Sequence, residues 1–376
     1  MPHGYVITQW TEDQGLVVKL SYPEDLTIDL DDMMRIFYAH ITGAGAAGNV
    51  LVRLEKARSN VWSYFTGMQS DMPIMINLML ELGEDPEMFG ETVLQEVNQD
   101  VLNYLRQMST NISQSYEITK TIKLYIRNTL ILLERLKNLS KEQRLAQIYT
   151  SEKARTILEA LQERAISRRQ LQGIIEEKLQ KIVPNIEYVL DPFIKTGLIM
   201  QDWVEGDTDI TLFLLNDFAI YRSPVSKLVE DAKKGLPTQE VAAKYLEEVT
   251  NFFNNYRPSF EDNLVIARTL MNPDNYDYIT LFRERGYPIN KIPKSPGESL
   301  DQVGSFLKGM EENQILKVIR DSKDTLWVFL LTDIIVDTFY PEYLIEKIRK
   351  DRMDGISEKS VAIKHLEFLE AAYKKK

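Results

Sequence analysis

The sequence predicts an α+β, helix-rich chain of several domains, on three observations. Short apolar runs bracket an amphipathic helix within the first 110 residues. Helical apolar spacing dominates most of the remaining chain. Two later segments, GLIMQDWVEGDTDITLFLL and NQILKVIRDSKDTLWVFLL, share one pattern of apolar run, charged turn and apolar run. With 376 residues, 44% of them hydrophobic and 27% charged, the chain can bury two or three cores.

The N-terminal third opens on a hairpin. Residues 5–10 and 16–22 read as strands, joined by the polar turn Thr11-Glu12-Asp13-Gln14-Gly15. Asp29 or Asp31 then caps a helix with Leu30, Met33, Met34, Phe37 and Ile41 at spacings of three and four. The glycine-rich stretch 43–48 ends it. Residues 50–54 and 61–65 read as strands, and 73–80 is apolar throughout, as a central strand should be. A helix over 89–108 completes the order β-β-α-β-β-β-α.

Residues 112–140 read as one long helix. Ile118, Ile122, Tyr125, Thr129, Leu132, Leu136 and Leu139 alternate at four and three, a heptad seam. Such a seam serves a dimeric coiled coil or one helix packed on its own domains, and Ile122 and Leu132 are its candidate contact residues.

The remainder divides into two like units. Ser151 caps a helix with Ala154, Ile157, Leu158 and Leu161 on one face, and helices over 168–182 and from Asn185 to Gly197 come next. Strands 198–204 and 209–215 flank the turn Glu205-Gly206-Asp207-Thr208. The second unit has a helix at 276–284, a proline-broken loop at 286–296, a helix at 299–313 capped by Ser299, and strands at 315–319 and 326–330. The expected division is a domain at 1–110, a helical connector at 111–150, a first three-helix-and-hairpin unit at 151–222, helical linkage at 223–271, a second unit at 272–340, and charged helices at 341–376.

Composition narrows the function classes. There are no cysteines, which excludes disulfides, thiolate catalysis and cysteine-held zinc or iron–sulfur centres, and fits a cytoplasmic protein. The apolar stretches 73–80 and 326–331 fall far short of the ~20 residues of a membrane span, and the start carries no basic, apolar leader. Net charge is −11, and residues 1–110 hold 6 Lys and Arg against 16 Asp and Glu. That imbalance opposes nucleic acid and anionic lipid.

The motifs that suggest chemistry fail on context. Gly43, Gly45 and Gly48 match G-x-G-x-x-G, but a helix precedes them and a strand comes after, the reverse of what a pyrophosphate site needs. Gly304 and Gly309 have P-loop spacing, but Met310 stands in place of the lysine. The only histidines are His3, His40 and His365, too scattered for a metal pair. Acid pairs such as Asp31-Asp32, Glu176-Glu177 and Glu311-Glu312 point about 100° apart on helices. No catalytic, cofactor or metal site is expected, so the chain reads as a non-enzyme.

The element order of residues 1–110, with its N-terminal hairpin, helix 30–41 and strand 73–80, resembles the longin and roadblock superfamily of profilin-like domains. The resemblance implies a non-enzymatic platform that dimerises and serves small GTPases, trafficking machinery or other assembly partners. The two later units resemble winged-helix domains by the same criterion of order. Together these imply an adaptor that assembles protein partners. The alternative is a transcription-associated regulator whose winged helices touch DNA. On the N-terminal helix, Ile36 and Tyr38 flank the expected core stripe. They are either isolated exposed apolar residues or the edges of a surface for a partner or a second copy.

Charge separates the two readings. Winged helices meet DNA through the third helix and the wing. Between Asn185 and Asp217 stand Glu187, Asp191, Asp202, Glu205, Asp207, Asp209 and Asp217 against the single base Lys195. The second unit mixes Lys308, Lys317, Arg320 and Lys323 with Glu311, Glu312, Asp321 and Asp324. Duplex binding should therefore be no tighter than the non-specific range of about 10⁻⁴–10⁻⁶ M at physiological salt. A sub-micromolar dissociation constant in a salt-titrated mobility assay would favour the DNA reading instead.

Overall fold

Gly4 starts the first strand for a steric reason. Its φ is +148°, and a Cβ there would lie 2.0 Å from the carbonyl oxygen of Tyr22 on the neighbouring strand. Around that close approach the chain folds, in a computed structural model that describes residues 2–42, 45–110, 112–180, 183, 185–206, 208–293 and 300–374. It is an α+β protein with antiparallel sheets, in two units divided between Asn138 and Leu139.

In the first unit, β1 (Gly4–Thr11), β2 (Gly15–Tyr22), β3 (Gly48–Leu54), β4 (Ser59–Phe65) and β5 (Ile74–Glu81) form one sheet in the order β2-β1-β5-β4-β3. Central β5 is buried on both faces from Ile74 to Leu80, which explains its apolar run; the one polar residue in it, Asn77, donates its side-chain amide to the Val6 carbonyl at 2.8 Å. Helix α1 (Leu30–Ile41) covers one face, packing against Val6, Val52, Val61, Phe65, Met75 and Met79. Helix α2 (Glu91–Thr110) packs on α3 (Ser115–Lys137), which crosses β1 and β2.

The long helix expected over 112–140 ends early. Asn138 terminates α3, and Ser140 starts α4 (Lys141–Thr150) with a capping box: its hydroxyl accepts from the Gln143 N–H at 3.3 Å, and the Gln143 side chain accepts from the Ser140 N–H at 3.1 Å. The expected connector at 111–150 is thus divided between the two units. Nor does the heptad seam hold. α3 buries Ile122, Ile126, Thr129, Leu130, Leu133 and Leu136, leaving Leu132 only half-buried. A helix packed inside a domain keeps a 3.6-residue period, so its buried stripe drifts off a strict heptad.

The second unit is built twice over. α4 leads into α5 (Glu152–Glu163), β6 (Ile166–Ser167), α6 (Arg168–Leu179), α7 (Ile186–Thr196), β7 (Ile199–Asp202), β8 (Thr211–Leu214), β9 (Asp217–Ser223), α8 (Ser226–Lys233) and α9 (Gln239–Asn255). The order then recurs as α10 (Phe260–Met271), α11 (Pro273–Glu284), β10 (Tyr287–Pro288), a single turn at Ile289–Lys291, α12 (Leu300–Glu312), β11 (Leu316–Arg320), β12 (Leu326–Leu330), β13 (Asp333–Phe339), α13 (Tyr343–Met353) and α14 (Lys359–Tyr373). The two small sheets have matching orders, β6-β8-β7 and β10-β12-β11. Local hydrogen bonds match too: the amides of Leu215 and Asn216 reach the Leu198 carbonyl, and those of Leu331 and Thr332 reach the Ile315 carbonyl. Ser299 and Asp207, assigned roles from sequence, lie outside the described residues.

The halves meet about an approximate two-fold axis. β9 pairs with β13 antiparallel, centred on Ile220 opposite Val336, and α4 packs on α10. Each half also gives its last helix to the other. Tyr245 of α9 stacks on Phe329 of β12 at 4.9 Å, and its hydroxyl donates to the Leu330 carbonyl at 3.0 Å. His365 of α14 lies 5.4 Å from Phe213 of β8 and reaches the Leu214 carbonyl at 2.9 Å. Phe368 closes on Phe213 at 5.2 Å. The stretches 223–271 and 341–376, expected as linkage and charged tail, therefore supply packed elements.

One buried arginine ties the crossing together. The Arg222 side chain, on β9, spends all five N–H donors: on both carboxylate oxygens of Asp262, on the carbonyls of Asn313 and Gln314 past the end of α12, and on the Thr332 hydroxyl. Tyr256 donates to the same Asp262 at 2.7 Å.

If α14 is what shields β8, removing residues 356–376 should speed amide exchange in β7 and β8 and raise binding of a hydrophobic dye. β11 and β12 should stay protected beneath α9. Equal protection of both sheets in the shortened chain would contradict the exchange of helices.

Candidate functional site

Asp29 caps α1, accepting from the Asp32 N–H at 2.7 Å, and so sets the phase of the helix. The residues that go inward are Met33, Ile36, Phe37 and His40. The expected stripe of Leu30, Met33, Met34, Phe37 and Ile41 is turned away from the sheet by roughly 60°, at 100° per residue. His40 accounts for the difference. Its Nε2 lies 2.9 Å from the Ser63 hydroxyl on β4, so a polar side chain is satisfied inside and the core draws in the helix edge carrying Ile36. Ile36 is 1% exposed and is therefore core, not the partner surface that its position off the stripe suggested.

The rotation leaves the other edge of the apolar arc uncovered. Met34, Tyr38 and Ile41 line a cavity of about 600 Å³ together with Trp10, Phe37, Gly45 and Met68. Trp10 at the end of β1 stacks flat on Phe37 at 4.8 Å, making the floor. The Met68 amide donates to the Gly45 carbonyl at 3.0 Å, which holds the far wall. Tyr38 is 54% exposed and Met68 40%. Among the described residues no charged side chain lines the cavity. The lining suits an apolar group, with the Tyr38 hydroxyl and the Trp10 indole N–H as polar handles.

Of the four residues singled out from sequence, only Tyr38 stands on this groove. Ile122 is fully buried in the first unit, and Leu132 is half-buried on the same helix. Sequence reasoning missed Trp10 and Met68, and placed Met34 and Ile41 in the core. The available signal was the apolar arc itself, wider than one sheet face can cover.

Other surfaces offer no alternative centre. Among the described residues, no three histidine, aspartate or glutamate side chains come together to hold a metal. Gly45 lies between α1 and β3, Gly48 is the first residue of β3, and Gly43 is outside the described residues. Gly304 and Gly309 fall within α12. Among the described residues no helix is long and apolar enough to cross a membrane. On α7, Glu187 pairs with Arg168 at 2.9 Å and Asp191 with Lys195 at 2.8 Å, leaving little free positive charge.

The fold and groove thus define an α+β protein with an accessible apolar groove on its first unit. No family model matches the chain, and neither does any curated protein. Among solved structures, the K. lactis Lst4 longin domain aligns at 12% identity and a TM-score of 0.28, over 35% of this chain and 97% of that domain. At that score the likeness carries no weight of its own.

His40 makes the platform sensitive to acid. Burial lowers its pKa from about 6.5 to about 4. The unfolded chain therefore takes up this proton at higher pH than the folded one. The stability gained from neutral His40 is complete above pH ~6.5 and is lost progressively toward pH ~4, by about 2 kcal/mol at pH 5. Urea unfolding of the first unit at pH 7 and pH 5 should show a loss smaller by about that amount in His40→Gln, which cannot titrate. An equal loss in both proteins would mean that His40 does not titrate on unfolding.

Proposed function

We propose that this chain is a non-enzymatic adaptor that holds protein partners together. In this reading the first unit is a longin- or roadblock-like platform. Support comes from the β-β-α-β-β-β-α order and from the sheet order β2-β1-β5-β4-β3, with α1 on one face. The observation that carries the proposal is the groove of Trp10, Met34, Tyr38 and Met68, which is apolar, accessible and free of reactive groups. A concave apolar site with an exposed rim is the usual form of a recognition site. Small GTPases, trafficking-type assemblies and a second copy of the chain are the partners proposed, in the cytoplasm.

The second unit is read as two winged-helix modules. Three helical segments precede each hairpin, and a two-residue strand completes each three-stranded sheet. Here they serve as docking modules. The DNA-contacting alternative is disfavoured by the acidic α7 surface, and α14 and α9 already rest on the β8 and β12 strands.

The groove can be tested directly. Tyr38→Glu with Met68→Glu should leave the circular dichroism spectrum and melting temperature nearly unchanged, since both side chains are exposed. The same change should weaken specific partners, or the mass of a homodimer, at least tenfold in affinity purification and light scattering. An unchanged set of partners at unchanged mass would remove the groove from the proposal.

A further inference from the structure

The second unit contains a separate cavity of about 640 Å³. It lies against the face of the β10-β12-β11 sheet that carries Trp327 and Phe329, the face on which Tyr245 of α9 also stacks. Phe329, Trp327 and Tyr287 form its aromatic floor, and Leu236 and Pro237, from the corner between α8 and α9, form a wall. Gly286 is required for the packing of that floor: a Cβ there would lie 2.2 Å from Cε1 of Phe329. Arg285 and Lys291 stand at the rim. Both are exposed, and among the described residues neither has a carboxylate within ion-pair distance. Arg285 instead sits 4.7 Å over the Tyr287 ring. Asp231 is the one acid in the lining among the described residues.

The other half of the unit shows what a closed version looks like. At the place of Gly286 it has Ala165, and at the place of Trp327 it has Thr211. Phe213, in the position of Phe329, is covered by His365 and Phe368, and Ala165 packs into the same cluster. In the second half Phe368 is answered by Glu248, which turns aside to pair with Lys317 at 3.0 Å. Two halves of one design thus differ at this place: Tyr245 caps Phe329 as His365 caps Phe213, but only the first half adds a second aromatic cover, and the second keeps Trp327 and, among the described residues, two cations with no carboxylate partner.

We propose that this cavity binds an extended peptide segment of a partner protein, with one bulky apolar side chain on the Trp327–Phe329 floor and a nearby Asp or Glu between Arg285 and Lys291. Charge selects an acidic ligand, because the rim carries two cations against one acid. Size selects a few side chains, the range typical of ligand pockets. The apolar surface continues beyond the cavity through Leu236, 53% exposed, and Ile289, 41% exposed, which a small enclosed ligand would leave wet. The edge strand β10 contains Pro288, which has no N–H to donate, so the peptide is held by its side chains and not by strand addition. This site stands on the second unit alone and holds whether or not the groove on the first unit docks a partner.

The test is selection of a random peptide library on the full chain, followed by anisotropy with the enriched peptides. The expected consensus is a bulky apolar residue within a few positions of Asp or Glu. Arg285→Glu with Lys291→Glu should raise the dissociation constant at least tenfold, and replacing the peptide's acid by lysine should restore binding to that variant. Both side chains are exposed, so the variant should fold. Trp327→Ala should also abolish binding, while Tyr38→Glu on the other unit should leave it unchanged. The proposal is overturned if no peptide is enriched, if the enriched peptides lack an acid, or if their binding survives charge reversal. It is equally overturned if the peptides are lost with Tyr38→Glu, or if only a small amphiphile such as dodecanoate fills the cavity.

Discussion

Arg222 is the constraint on which the second unit depends. A guanidinium that is 2% exposed has lost its water, and losing one partner of such a group costs about 3–5 kcal/mol. The folded chain meets that cost by bringing five acceptors to one point from α10, the end of α12 and the corner between β12 and β13. Those acceptors come from the second half, while Arg222 comes from the first. The crossing of β9 over β13 is therefore fixed in register by chemistry and not only by strand pairing. Fork geometry excludes a lysine in this place, since three donors on one atom cannot reach carboxylate, carbonyls and hydroxyl together.

Much of the first unit was legible in the sequence because its signals are local. The hairpin turn, the Asp29 cap and the nearly continuous apolar run of β5 each depend on neighbours in the chain. The phase of α1 was not legible, because it is set by His40 meeting Ser63, a contact between residues far apart in sequence. The groove arose from that same contact, which is why Trp10 and Met68 could not be assigned to it. In the second unit β6 and β10 escaped notice because a strand of two residues has no periodicity to read.

β9 and β13 are the instructive omission. Leu214-Leu215-Asn216-Asp217 and Leu330-Leu331-Thr332-Asp333 are nearly the same words, each ending in an aspartate whose carboxylate accepts from the next amide at 2.8 Å. Each aspartate also accepts from a side chain of the second helix of its own half, Gln162 on α5 or Arg283 on α11. Extending the similarity of the hairpins by a few residues would have exposed the repeat. The exchange of helices would still have stayed hidden, because sequence similarity says which parts correspond and not which copy they rest against.

That exchange has a consequence for how the chain is made. Phe213 is translated well before its cover, since His365 lies about 150 residues further on. At the usual 5–20 residues per second, the sheet face of the first half waits on the ribosome for roughly 10–30 s, bare and apolar. The second half suffers no such delay, because α9 has already emerged when β12 appears. One polypeptide thus leaves its two similarly built halves uncovered for very different times, and the earlier half is the one whose apolar sheet face stays bare longer.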